Sequence, residues 1–237
     1  MKRANRVISV LMIPLLSLLQ ISPALAKDAS PQTVYIADAD DLLALSKSCS
    51  LDSWSHGRTV ILTADIDLEA RDFTPIPIFG GVFDGQGHSI SGLSINVEGA
   101  KQGLFRYLEQ SGVIRNLEVK GVVTPGGEKS YIGGIVGNNM GTLESCSFSG
   151  YVKGKGNVGG LVGWNGTTGK LVKSSASGVV YGESKVGGVA GSNAGTILRC
   201  VNNSQVNTTV EEHKRNFEGL TMEDVRLSKL FLGATDI

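Results

Sequence analysis

The chain has 237 residues, 22 of them basic and 22 acidic, and 32 are glycine against about 7% in an average protein. A charge balance this even excludes a chain built around nucleic acid or an anionic membrane surface. Glycine without a matching proline excess, in a sequence that keeps alternating apolar residues, points to repeats rather than disorder.

Residues 1–26 have the layout of a cleavable export signal. Lys2, Arg3 and Arg6 precede an apolar run at 7–22, and "ALA" at 24–26 supplies small residues for cleavage after Ala26. A bilayer span needs about 20 apolar residues, and Pro14, Ser17 and Gln20 break this run. Nothing later is apolar for long enough, so no membrane span is expected after the signal is removed. Cleavage would take away three basic residues and no acidic ones, leaving 19 basic against 22 acidic.

Residues 27–57 read as an N-terminal cap that contains a helix. "DADDLLALSKSCS" (38–50) opens with acids suited to a helix N-terminus and sets Leu42, Leu45 and Cys49 on one face. Strand-like stretches follow in "RTVILTADIDL" (58–68) and "FTPIPIF" (73–79), and "GGVFDGQGHSISGLSI" (80–95) leads into repeats.

The repeats dominate the chain. "IGGIVGNN" (132–139), "VGGLVGWN" (158–165) and "VGGVAGSN" (186–193) recur at 26 and 28 residues. Each is followed by a second pattern: "GTLESCSFSGYV" (141–152), "GKLVKSSASGVV" (169–180) and "GTILRCVNNSQV" (195–206). An earlier copy is "GVIRNLEVKGVV" (112–123). Aligned, they give columns: Ile114, Leu143, Leu171, Ile197; then Leu117, Cys146, Ser174, Cys200; then Val123, Val152, Val180, Val206. Strict inside–outside alternation fails between the first two columns, so a bend falls inside the pattern.

Identical side chains stacked rung on rung are what a parallel β-solenoid produces, and residues 58–210 are assigned to it. A sandwich of similar hairpins is the alternative. Each coil must turn about three times, and the glycine doublets are expected at corners, supplying positive φ. Cys146 and Cys200 lie two coils apart, roughly 9–10 Å, too far for a disulfide. Residues 211–237 are polar, lack the repeat and contain a helix candidate at 221–231; they either cap the solenoid or lead into a longer protein.

The Gly doublets, together with "ILTADIDL" and "PIPIFGGVFDGQGHSISGLSI", resemble bacterial surface proteins with GLUG-type repeats, over roughly residues 33–206. Such repeats occur in IgA-specific metallopeptidases and filamentous-haemagglutinin-like adhesins. The resemblance implies an all-β, right-handed parallel β-helix on an extracellular surface. It does not imply peptidase activity, because the zinc motif of those catalytic domains is missing here.

Candidate chemistry is sparse. His56, His88 and His213 show no metal-ligand spacing, and no P-loop or G-x-S-x-G is present. Asp65, Asp67 and Glu69 fall on one strand face, a pattern that suits Ca²⁺ or paired carboxylates on a polysaccharide, though a solvated outer face is the plainer reading. Asp84 and Gly85 suit a turn in which the carboxylate caps backbone amides, and His88 is the weaker catalytic candidate beside them. Trp164 is the best exposed aromatic, with Tyr151 and Tyr181 near coil ends. The expectation is a non-enzymatic, secreted or cell-surface stalk or adhesion module of a bacterial protein, without cofactor or metal. Its partner would be a host glycan, a host protein or downstream domains of the same polypeptide. The alternative is a β-helix polysaccharide lyase or hydrolase using Asp65, Asp67 and Asp84.

Overall fold

In the computed structural model, residues 32–207 are described, apart from 52, 71 and 72. The expected export signal and the 211–237 segment lie outside these residues. The described chain winds into a parallel β-solenoid of about six turns, with one short helix near its start.

Four sheets run along the solenoid. Sheet A stacks β1 (Gln32–Ile36), β2 (Arg58–Leu62), β5 (Val82–Asp84), β8 (Val113–Arg115), β12 (Thr142–Glu144), β16 (Lys170–Val172) and β20 (Thr196–Leu198). Sheet B stacks β3 (Ile66–Asp67), β6 (Ser89–Ile95), β9 (Glu118–Val123), β13 (Ser147–Lys153), β17 (Ser175–Tyr181) and β21 (Val201–Val206). Sheet C holds β4 (Ile76–Phe79), β7 (Phe105–Leu108), β11 (Val136–Asn139), β15 (Val162–Asn165) and β19 (Ala190–Asn193). Sheet D is shorter: β10 (Ser130–Gly133), β14 (Gly156–Gly159) and β18 (Ser184–Gly187). A full coil therefore visits A, B, D and C in turn, four sheets with a bend after each, where three turns were expected.

The aligned columns are the register. Ile114, Leu143, Leu171 and Ile197 are in-register partners in sheet A, as are Val123, Val152, Val180 and Val206 in sheet B. All but the last member of each column are buried. At the base of the core Phe79, Phe83 and Phe105 meet edge to face, with centroids 5.4–6.2 Å apart. Higher up the column narrows, and Ala176 stands over Phe148.

The bend inside the repeat lies between sheets A and B. It is made by Asn116, Ser145, Lys173 and Arg199, all left-handed at φ 49–55°. That turn reverses which face the next side chain takes, so Leu117, Cys146 and Ser174 point inward. Non-glycine residues, not the doublets, thus supply the positive φ of this corner.

The doublets do stand at corners, between sheets D and C, but for another reason than expected. None of Gly133, Gly134, Gly159, Gly160, Gly187 and Gly188 has positive φ. A Cβ on any of them would come within 3 Å of another atom, backbone at the first five and the Asn202 side chain at Gly188. The corner amides bond coil to coil, Gly134 N–H to the Gly160 carbonyl at 3.0 Å and Gly160 N–H to the Gly188 carbonyl at 2.9 Å. A side chain would occupy the space those bonds need.

The helix α1 (Ala39–Ser48) forms where expected and buries Leu42, Leu45 and Cys49. Asp38 caps it by accepting from Asp41 N–H at 2.9 Å, and Asp41 in return accepts from Ala37 N–H at 2.9 Å. Ser46 Oγ donates to the Thr74 carbonyl at 2.8 Å, fastening the helix beside β4. The other end differs. Ile197, Leu198, Val201 and Val206 are 36–52% exposed, because no later coil covers them among the described residues.

Candidate functional site

The outer face near the first coils gathers the charged groups singled out in the sequence. Strand β3 is only two residues long, and the chain leaves it before Glu69, whose φ is 53°. Asp65 and Asp67 are exposed, but Glu69 does not share their strand face; its N–H donates to Asp67 Oδ1 at 2.8 Å within a tight turn. Asp65 Oδ1 accepts from Ser89 N–H at 2.8 Å and lies 3.4 Å from His88 Nδ1. The Ser89 amide above all, with His88, holds Asp65 below the usual carboxylate range.

Asp84 is a different kind of group: it is 3% exposed. Its Oδ2 accepts from Arg115 Nε at 2.8 Å, and its Oδ1 accepts from Asn116 Nδ2 at 3.2 Å and Gln86 N–H at 3.0 Å. The Asp84 turn is therefore the amide-capping turn expected from "FDGQGH". Burial pushes its pKa up, but the Gln86 amide, Asn116 and Arg115 outweigh burial and leave it lowered. Asp65, Asp67 and Asp84 are each engaged by a different set of neighbours. Among the described residues no cluster of three or more His, Cys, Asp or Glu could hold a metal ion.

Because Asp84 is depressed in the fold, its contribution is fully present above the unfolded carboxylate range and is lost as pH falls through the folded value. Asp84→Asn is expected to lower stability near neutral pH by about 2 kcal/mol and to flatten the loss of stability below pH ~4. Urea unfolding at pH 7 and pH 3 checks this; parallel losses in both proteins would count against it.

His56 meets Glu109 side chain to side chain, at a shallow depression lined also by Gln110 and Ser111. Ser55 Oγ accepts from Gly80 N–H at 2.8 Å, so the 53–57 loop is bound to the neighbouring coil there. The cysteines are all free, and Cys146 and Cys200 are unbonded as expected. Burial pushes the Cys49 and Cys146 thiols up to about 12, which leaves them protonated and poor nucleophiles.

Trp164 is half-buried and meets the Tyr131 ring at 6.3 Å. Tyr151 is largely buried against Val122 and Val179, and Lys153 lies over Tyr181. Two features went unremarked in the sequence. One is an asparagine ladder: Asn139 Nδ2 donates to Asn165 Oδ1, and Asn165 Nδ2 to Asn193 Oδ1, both at 2.7 Å. The closing Asn of each "GNN", "GWN" and "GSN" was its visible signal. The other is an external column in sheet C, where Tyr107, Asn138 and Trp164 are in-register neighbours.

No family model matches the chain, and no solved structure matches it. It is 34% identical over 154 residues to Halomucin of Haloquadratum walsbyi, covering 57% of this chain and 2% of that protein. It is also 34% identical over 92 residues to a Gly-rich membrane protein of Evansella cellulosilytica, covering 36% of this chain and 11% of that one. The chain thus spans only a small part of the length of the relatives it matches.

Proposed function

We propose that this chain is an extracellular, non-enzymatic β-solenoid that acts as a stalk or adhesion module of a bacterial surface or secreted protein. The observation that carries this reading is the coil-on-coil stacking, in which side-chain columns fill the interior and leave an extended outer surface. The separate engagement of Asp65, Asp67 and Asp84 supports it over a polysaccharide-cleaving centre. The GLUG-type resemblance supports an envelope location, as does a relative named as a membrane protein. Among the described residues no helix is long and apolar enough to cross a membrane. The partner is a host glycan, a host protein or further domains of the same polypeptide.

Labelling intact host cells with a membrane-impermeant amine reagent tests the location. Modification of the chain's lysines before lysis is expected, and a chain reached only after lysis would overturn the reading. Turnover of a polysaccharide that Asp65→Asn abolishes would overturn its non-enzymatic part.

A further inference from the structure

Two columns meet on the outer surface where sheets C and D adjoin. In sheet C the register places Ile78, Tyr107, Asn138, Trp164 and Ser192 side by side. In sheet D the left-handed residues Tyr131, Asn157 and Lys185 form a second line, which Lys101, beside the isolated Gln102–Ile132 bridge, extends by one coil. The columns touch twice: Tyr131 meets Trp164 edge to face, and Ser192 Oγ lies 2.6 Å from Asn157 Oδ1.

Three properties of this surface are unusual. Tyr107, Tyr131 and Trp164 are half-buried rings on the outside of a chain with only 6% aromatics. Tyr107 and Trp164 stand two rungs apart, about 9–10 Å, with Asn138 between them. Asn138 is 6% exposed, yet its side-chain oxygen has no hydrogen-bond partner, an omission that carries a desolvation penalty.

The surroundings are cationic. Lys101, Arg106, Lys155 and Lys185 are exposed and have no ion-pair partner among the described residues. Arg106 donates to the Ala100 carbonyl at 3.3 Å, which keeps its guanidinium beside Lys101. Two acids lie nearby: Glu98 packs against Gly126 and Gly127, and exposed Glu183, two residues before Lys185, donates its N–H to the Lys155 carbonyl at 2.9 Å, which leaves Lys101 and Arg106 as the cationic end of the surface.

We propose that this surface binds an acidic polysaccharide, a uronate-bearing chain laid along the solenoid axis. Pyranose rings present apolar C–H faces that stack on Tyr107 and Trp164, whose separation is close to the length of two sugar units in an extended chain. The Asn138 side chain lies between those rings with its oxygen shielded from solvent, so it spaces them rather than contacting the sugar. Carboxylates pair with Lys101 and Arg106, the guanidinium offering a two-pronged contact. The proposal gives a ligand class to the adhesion reading and rests on it only in requiring the surface to face outward.

Titrating the full chain with hexagalacturonate, against neutral maltohexaose, tests it through tryptophan fluorescence. Hexagalacturonate is expected to change the Trp164 signal with an affinity that falls as salt rises, while maltohexaose binds at least about tenfold more weakly. Tyr107→Ala and the double variant Lys101→Ala/Arg106→Ala should each lose about tenfold or more in affinity, and Lys47→Ala on the capping helix none. Trp164→Ala should abolish the signal. If that variant does not fold, the Tyr107 and Lys101/Arg106 variants, whose side chains reach solvent, decide the matter. Equal binding of both sugars, binding of neither, or unchanged affinity in those variants would overturn the proposal. The purified protein answers this whether or not cell labelling supports the envelope location, so the two readings can fail separately.

Discussion

Gly160→Ala is expected to destabilise the solenoid by more than about 3 kcal/mol, roughly a 6–12 °C fall in Tm for a domain of this size. The new Cβ would lie 2.6 Å from the Ala176 Cβ and closer still to the Gly188 carbonyl oxygen. That carbonyl also accepts the Gly160 N–H at 2.9 Å, so it cannot retreat without breaking the coil-to-coil bond. Gly156, four residues earlier, is the control. Its added Cβ would meet only the ends of the Ser184 and Ser130 side chains, 3.2 Å away at nearest, and its φ is not left-handed. Gly156→Ala should stay within about 0.5 kcal/mol of the parent. Gly160→Asn separates the two explanations for a glycine repeated in every coil's doublet, since Asn tolerates positive φ but not crowding. It should be at least as damaging as alanine. Thermal melts in which Asn is markedly milder than Ala would mean that conformation, not space, selects glycine there.

This corner shows how far the sequence can be read. The period, the columns and the capping helix follow from residue pattern alone, because stacking repeats a side chain at every rung. The cause of the doublets does not, since a glycine needed for φ and one needed for room look alike in a string of letters. The same limit applies to the A–B corner. Asn116, Ser145, Lys173 and Arg199 share a left-handed backbone but no common chemistry, so composition hides the turn that the broken alternation betrays. At the candidate sites, Asp84 was legible as a turn-capping carboxylate because its partner amide is two residues away. Its pairing with Arg115 crosses 31 positions and depends on coil length. Asp67 and Glu69 illustrate the reverse case. Alternation placed them together, but a turn in the two-residue strand's wake separates them. The Tyr107–Asn138–Trp164 column escaped notice because its members differ in kind, and only register makes them neighbours.

Asn165→Ala is the second substitution expected to have a large effect, about 3 kcal/mol. Asn165 is fully buried and sits between two other amides. It accepts from Asn139 at 2.7 Å and donates to Asn193 at 2.7 Å, with the Gly169 and Thr196 carbonyls 3.3 Å from its Nδ2. Truncation leaves the Asn139 Nδ2 donor in the interior with nothing to replace the lost partner, while the Gly169 carbonyl keeps the Thr196 N–H at 2.9 Å. Asn193, at the top of the ladder, is exposed, and water can take over its bonds. Asn193→Ala should therefore cost less than about 1 kcal/mol although it deletes the same chemical group. Asn165→Leu restores volume without restoring hydrogen bonds, and it should remain nearly as destabilised as Asn165→Ala. Chemical denaturation of the three variants distinguishes polar satisfaction from packing. If leucine recovers most of the loss, the ladder is a space-filling column that happens to be polar. If it does not, the amides act as a chain that ties successive coils together at the C–A corner. Both the strictness of the repeat and the closing asparagine of each "GNN", "GWN" and "GSN" then have one physical cause.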